Sequence, residues 1–153
     1  MTEIIKLTKE TLETNLNSFI ELSKTITPLR LQYWNEQHFR MDFAGKWDYS
    51  LVAIDKNIIV GYIIATLRDK SCVHINKMVV SKEFRSKGIG EKLIMKLLDT
   101  SQISKISKVH LFTHVENIGA KKFYEKNGFK EIALIQDDSG EKRFEMLKTI
   151  NLN

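Results

Sequence analysis

One cysteine and one proline occur in 153 residues. A lone thiol, Cys72, closes no internal disulfide and cannot complete a cysteine zinc cage, so a stapled secreted scaffold and a zinc ribbon are both excluded. Cys72 reads as a small apolar core residue, because no acid–base arrangement in the sequence marks it as a nucleophile. No stretch approaches the roughly 18 apolar residues of a membrane span. The opening Met1-Thr2-Glu3-Ile4-Ile5-Lys6 lacks a signal peptide's basic and apolar regions. A cytoplasmic location and no membrane partner are the expectation. A tail of like charges, an internal repeat and a linker are also missing, which points to a single domain over residues 1–153.

What is present is ordinary in amount: 42% hydrophobic and 28% charged residues, the balance of a globular chain that buries a core. Lys plus Arg is 24 against 19 Asp plus Glu, a net charge of +5. That excess favours an anionic partner such as nucleic acid, a phosphorylated cofactor or an acidic substrate. The basic residues are spread along the chain, densest around Lys82, Arg85, Lys87 and Lys92. No basic-aromatic repeat of an RNA-binding strand occurs, so nucleic acid is not expected as a partner.

Periodicity places the elements. Glu3 to Leu7 reads as a short strand, and Thr8 as the N-cap of an amphipathic helix carrying Leu12, Leu16, Phe19, Ile20 and Leu22, ended before Pro28. Leu29 to Asp48 is aromatic-rich and reads as a second helix followed by a loop. Ser50–Ile54 and Ile58–Leu67 form a hairpin about Asp55-Lys56-Asn57, with Gly61 marking a bulge or a close backbone approach. Cys72–Val80 is a third strand and Gly88–Asp99 a helix with Ile89, Leu93, Ile94 and Leu97 on one face. Val109–Val115 is a buried strand, Asn117–Lys126 a helix closed by Asn127-Gly128, and Phe129–Ile135 and Lys142–Lys148 a final hairpin. Helix crossovers mixed with an antiparallel meander give an α+β class.

The most informative segment runs from Met78 to Gly90. A strand ends in Met78-Val79-Val80, a polar turn follows, and a helix opens on Gly88-Ile89-Gly90. The first amides of a helix lack internal acceptors and sit at the positive end of its dipole, so they suit phosphate oxygens. Glycine lets a bulky anion approach the backbone. The segment lacks the third glycine of a dinucleotide fingerprint and the Gly-Lys-Ser/Thr end of a P-loop. What remains is Arg85-x-x-Gly88-x-Gly90 after a strand. Followed by Asn117-x-x-Ala120-x-x-Phe123-Tyr124-Glu125-Lys126-x-Gly128-Phe129, it resembles the GNAT superfamily of N-acetyltransferases from about Leu51 onward.

The resemblance implies a mixed, mostly antiparallel central sheet of about seven strands flanked by about four helices, with a splayed cofactor slot. It implies acetyl-CoA as co-substrate and no metal. Arg85, Ser86, Lys87, Gly88, Ile89 and Gly90 would then cradle the pyrophosphate. The edge at Met78 and Val80 would pair with the pantetheine arm, and Asn117 would bond the same arm while also serving as an N-cap. Tyr124 stands where the family places the phenol that protonates the leaving thiolate; a core aromatic pair with Phe123 is the plainer alternative.

Many relatives carry a glutamate base where this chain has His74, which strict alternation puts on one face with Asn76, Met78 and Val80. A lone strand histidine is as readily structural, and His110 and His114 on the next strand offer a rival. The expected reaction is transfer of acetyl to a primary amine of a small molecule, peptide or protein, by a monomer or homodimer. A non-catalytic acyl-CoA sensor is the alternative. The aromatics between Leu29 and Trp47, with Glu36, His38 and Asp42, would form either the acceptor wall or a plain helix–sheet contact.

Overall fold

A computed structural model of the chain describes residues 1–26 and 33–153. Strands β1 (Thr2–Lys6), β2 (Leu51–Asp55), β3 (Ile58–Asp69), β4 (Cys72–Val80), β5 (Lys108–His114), β6 (Lys130–Gln136) and β7 (Lys142–Thr149) form one sheet in the order β1-β2-β3-β4-β5-β7-β6. Every neighbouring pair is antiparallel except β4 with β5. Six described helices flank it: α1 (Lys9–Thr14), α2 (Leu16–Ser23), α3 (Glu36–Arg40), α4 (Lys46–Tyr49), α5 (Ile89–Ile103) and α6 (Ile118–Lys126). The α+β mixed sheet expected from sequence is observed, with more and shorter helices. Among the described residues no helix is long and apolar enough to cross a membrane.

The sheet has two apolar faces. On one, Leu93, Ile94 and Leu97 of α5, with Tyr124 of α6, pack on Ala53, Ile63, Val73, Ile75, Val109 and Leu111. On the other, Leu12, Phe19 and Phe39 of the N-terminal helices cover Val52, Tyr62, Ile64 and Val79. The β2–β3 hairpin turns through Lys56 and Asn57 at φ 48 and 65, the left-handed pair a tight hairpin needs. At Gly61 both readings hold: a bulge lies beside it, and a Cβ there would meet the Val79 carbonyl at 3.0 Å.

The single long first helix expected from sequence is two. Asn15 ends α1 and starts α2, and its side-chain amide donates to the Thr11 carbonyl at 2.9 Å, which competes with helix continuation. The Pro28 stop and the positions of Leu29 and Leu31 lie outside the described residues. In place of one helix and a loop before Asp48, α3 opens on a capping box between Asn35 and His38. Lys46 of α4 is 1% exposed and donates to the Phe39 and Met41 carbonyls, closing the end of α3. Burial pushes its ammonium below the ordinary lysine range.

A bulge in β4 determines how the site is laid out. Ile64 pairs with Lys77 but Ala65 pairs with Ile75, so Asn76 is an extra residue, its side chain taking a 2.9 Å hydrogen bond from Thr66. The insertion breaks the alternation of faces. Val73 and Ile75 join the core under α5, and so do Met78 and Val80 beyond the bulge, although their numbers have opposite parity. His74 therefore lies on the face opposite Met78 and Val80. This corrects the expectation from strict alternation, which counted no extra residue.

Candidate active site

β4 and β5 pair only over Cys72–Ile75 with Lys108–Leu111, although β4 runs on to Val80 and β5 to His114. Past Ile75 the strands part, because the bulge bends β4 away. A cleft of about 670 Å³ opens there, in the range of small-molecule and cofactor sites. Its walls are Met78, Val79 and Val80 of β4, the loop from Phe84 to Ser86, the start of α5, and Asn117, Ala120, Phe123 and Tyr124 around α6.

The end of α5 facing this cleft is bare. Its N-cap is Gly88, which has no side chain to offer the first amides, and the first internal bond runs from Lys92 N–H to the Gly88 carbonyl at 3.0 Å. Among the described residues the amides of Ile89, Gly90 and Glu91 meet no acceptor, which leaves them for another one. Ser86 and Gly88 both take left-handed φ, 65 and 81, the backbone shape that gathers successive N–H groups around an anion. A Cβ on Gly88 would meet nothing within 4 Å, so that space belongs to the cleft. Gly90 differs: a Cβ there would sit 3.1 Å from the Phe123 ring, so it is glycine for helix packing across the cleft.

Of the residues singled out for the cofactor, Met78, Val80, Arg85, Ser86, Gly88, Ile89, Gly90 and Asn117 line the cleft and Lys87 does not. The Lys87 ammonium lies over the Phe84 ring, 5.0 Å from its centre. Arg85 braces the loop: its Nε donates to the Val80 carbonyl at 2.9 Å and its Nη2 to Thr25 Oγ1 at 3.3 Å. Asn117 Oδ1 accepts from Ala120 N–H at 3.1 Å and caps α6. Losing that cap should cost about 1 kcal/mol of stability. We expect Asn117→Ala to lower the unfolding free energy by that amount in urea titration, and Asn117→Ser to retain most of it. A weakening of coenzyme A binding shared by both variants would report on the Asn117 amide itself.

Tyr124 lies on the cleft wall at 8% exposure, its ring 5.4 Å from Phe123 and 5.5 Å from Phe129, so the aromatic pairing is real and the residue still reaches the cleft. Burial pushes its phenol well above the ordinary tyrosine range, which keeps it a neutral proton donor. His74 is not brought to Tyr124. It sits across the sheet with its Nδ1 2.8 Å from His110 Nδ1. His114 is tied elsewhere, its Nε2 2.6 Å from Glu141 and its Nδ1 accepting from Glu116 N–H at 3.1 Å.

Sequence reasoning missed several residues. Thr25 and Ile26, at the end of α2, reach the cleft across the other core and carry no motif. Lys77 is 5% exposed, with its ammonium 5.5 Å from the Trp34 ring, and burial pushes it down to about 8. Its place beyond the bulge could not be counted from sequence. Glu145 reaches His110 only through the β5–β7 register.

The model of the acetyltransferase (GNAT) family matches residues 15–129. N-alpha-acetyltransferase 30 of Schizosaccharomyces pombe is 32% identical over 96 residues, covering 57% of this chain and 61% of the relative. The chain thus matches less than two thirds of that protein's length. Ard1 from Thermoplasma volcanium superimposes with a TM-score of 0.83 at 20% identity, over 98% of both chains. Arabidopsis thaliana Naa50, solved with a bisubstrate analogue CoA-Ac-MVNAL, gives a TM-score of 0.76 at 22% identity over 96% of this chain and 97% of that one. At those identities the two structures show a shared fold.

Proposed function

The chain belongs to the acetyltransferase (GNAT) family, and from that premise we propose that it transfers the acetyl group of acetyl-CoA to a primary amine by direct attack in a ternary complex. Residues 1–153 act as one catalytic unit in this reading. The observation that carries it is the parting of β4 from β5 beside the bare start of α5. A diphosphate at Ser86 to Gly90 leaves the pantetheine to run along Met78–Val80, and the thioester then falls between the parted strands. Holding both reactants in line removes the entropic cost of bringing them together.

Coenzyme A supplies the activated acyl group, and the chain's own residues do the rest. The amides at the α5 start hold the anion, the β4 edge orients the arm, and the Tyr124 hydroxyl gives its proton to the departing sulfur. His74 serves as base from the far face. The acceptor class we propose is an α-amine at a peptide N-terminus. It is supported by the name of the N-alpha-acetyltransferase relative and by the peptide portion of the analogue bound to Naa50.

The test is thiol release from acetyl-CoA with a panel of small amines, amino acids, and short peptides with free or blocked N-termini. We expect release that requires a free α-amine. Tight coenzyme A binding with no amine-dependent release would instead make the chain an acyl-CoA sensor.

A further inference from the structure

On the face of the sheet opposite Met78, Val80 and Tyr124, side chains from four strands meet in a row. His74 of β4 and His110 of β5 touch through their Nδ1 atoms at 2.8 Å. His110 Nε2 lies 2.6 Å from Glu145 Oε2 on β7, and Arg68 Nη1 of β3 lies 3.5 Å from the same oxygen.

One arrangement of protons fits these contacts at neutral pH. The His110 hydrogen bond, with further help from Arg68, holds the Glu145 carboxyl below the usual range, so it is ionised and can only accept. His110 Nε2 must then carry a proton. Burial holds His110 below the ordinary imidazole range, so the ring is neutral and its Nδ1 is a lone pair. The proton between the two rings therefore belongs to His74 Nδ1. Burial, then His110 and Arg68, push His74 down to about 4, so this ring is neutral too. Its Nε2 is left as an unprotonated acceptor.

The place of the row gives that lone pair a use. Ile75 with Leu111 is the last pair before the strands separate, and His74 with His110 is the pair before it. The two rings thus flank the closed end of the gap, on the face opposite Met78, Val80 and Tyr124. On the acetyl-transfer reading the cofactor fills the cleft, which leaves the histidine side of the gap for the amine.

We propose that Glu145 and His110 are positioning residues that hold His74 in its Nδ1–H tautomer, so that His74 Nε2 takes, through water, the proton lost by the acceptor amine. The inference rests on the acetyl-transfer reading. In the step, the amine nitrogen bonds the acetyl carbon and the carbon–sulfur bond breaks. One amine proton passes to His74 Nε2, and the Tyr124 phenolic proton passes to sulfur. Solvent then carries the proton from His74 back to Tyr124.

Two measurements test it. Long-range proton–nitrogen spectra of the wild-type imidazoles should show His74 protonated on Nδ1 and His110 on Nε2, with His74 changing toward the Nε2–H form in Glu145→Gln and His110→Asn. Steady-state kinetics of the same variants should show kcat reduced about 100-fold, as when a catalytic group is misplaced, with the KM for acetyl-CoA and coenzyme A binding unchanged. Wild-type His74 in the Nε2–H form overturns the proposal whatever the activity. Full kcat in both variants overturns the relay alone and leaves acetyl transfer standing. No turnover of any amine by the wild type overturns the transfer reading, and the proton-acceptor role with it.

Discussion

Gly88→Val is expected to weaken coenzyme A binding about a hundredfold, on the order of 2.7 kcal/mol, while the chain remains folded. Gly88 takes φ 81 and faces open space, so the new side chain strikes no protein atom but enters the volume in front of the bare α5 amides. A left-handed β-branched residue also costs roughly 1–2 kcal/mol of backbone strain. Gly140→Val separates the two effects. Gly140 has φ 89 at the β6–β7 turn, away from the cleft, so it carries the strain without the obstruction. Calorimetric titration should give a large loss at position 88 and none at 140. Unaltered affinity in a folded Gly88→Val protein would mean that the diphosphate sits elsewhere.

Tyr124→Phe should lower kcat by about 10²- to 10⁴-fold, the range for removing a general acid, and leave coenzyme A affinity intact. The ring contacts with Phe123 and Phe129 survive the change, so the fold has little reason to respond. What disappears is one hydroxyl on the cleft wall. Burial raises its pKa, so tyrosinate is scarce at neutral pH and the proton is there to give. A stopped assay of thiol formation with saturating amine decides the matter, since equal turnover in the two proteins would assign sulfur protonation to solvent.

The parts of this molecule legible in its sequence are those governed by neighbours along the chain. The Lys56–Asn57 turn, the Thr8 and Asn117 caps and the buried stripe of α5 follow from local dihedral and periodicity rules, and each is found. Arg85, Ser86, Gly88, Ile89 and Gly90 line one cleft with Asn117 and Tyr124, a grouping that the family resemblance implied and local rules did not. The helices α3 and α4, of five and four residues, are too short to show a period. Nothing local in the sequence marks Lys46 or Lys77 as buried: two carbonyls receive the first, and the second lies against the Trp34 ring. Glu145 joins His110 across a separation of 35 residues, which no local pattern reports. The reversal at Asn76 was invisible for another reason: an added residue alters parity without altering composition.

On the acetyl-transfer reading, that one supernumerary residue would also give the chain two doorways. A strand pair zipped to its end would leave a wall, with donor and acceptor queuing at the same opening. Unzipped halfway, the wall becomes a window, through which the nucleotide-bearing partner would load from the helical side and the amine from the imidazole side. Neither would then have to back out past the other, and spent carrier and acetylated product would be free to depart in either order.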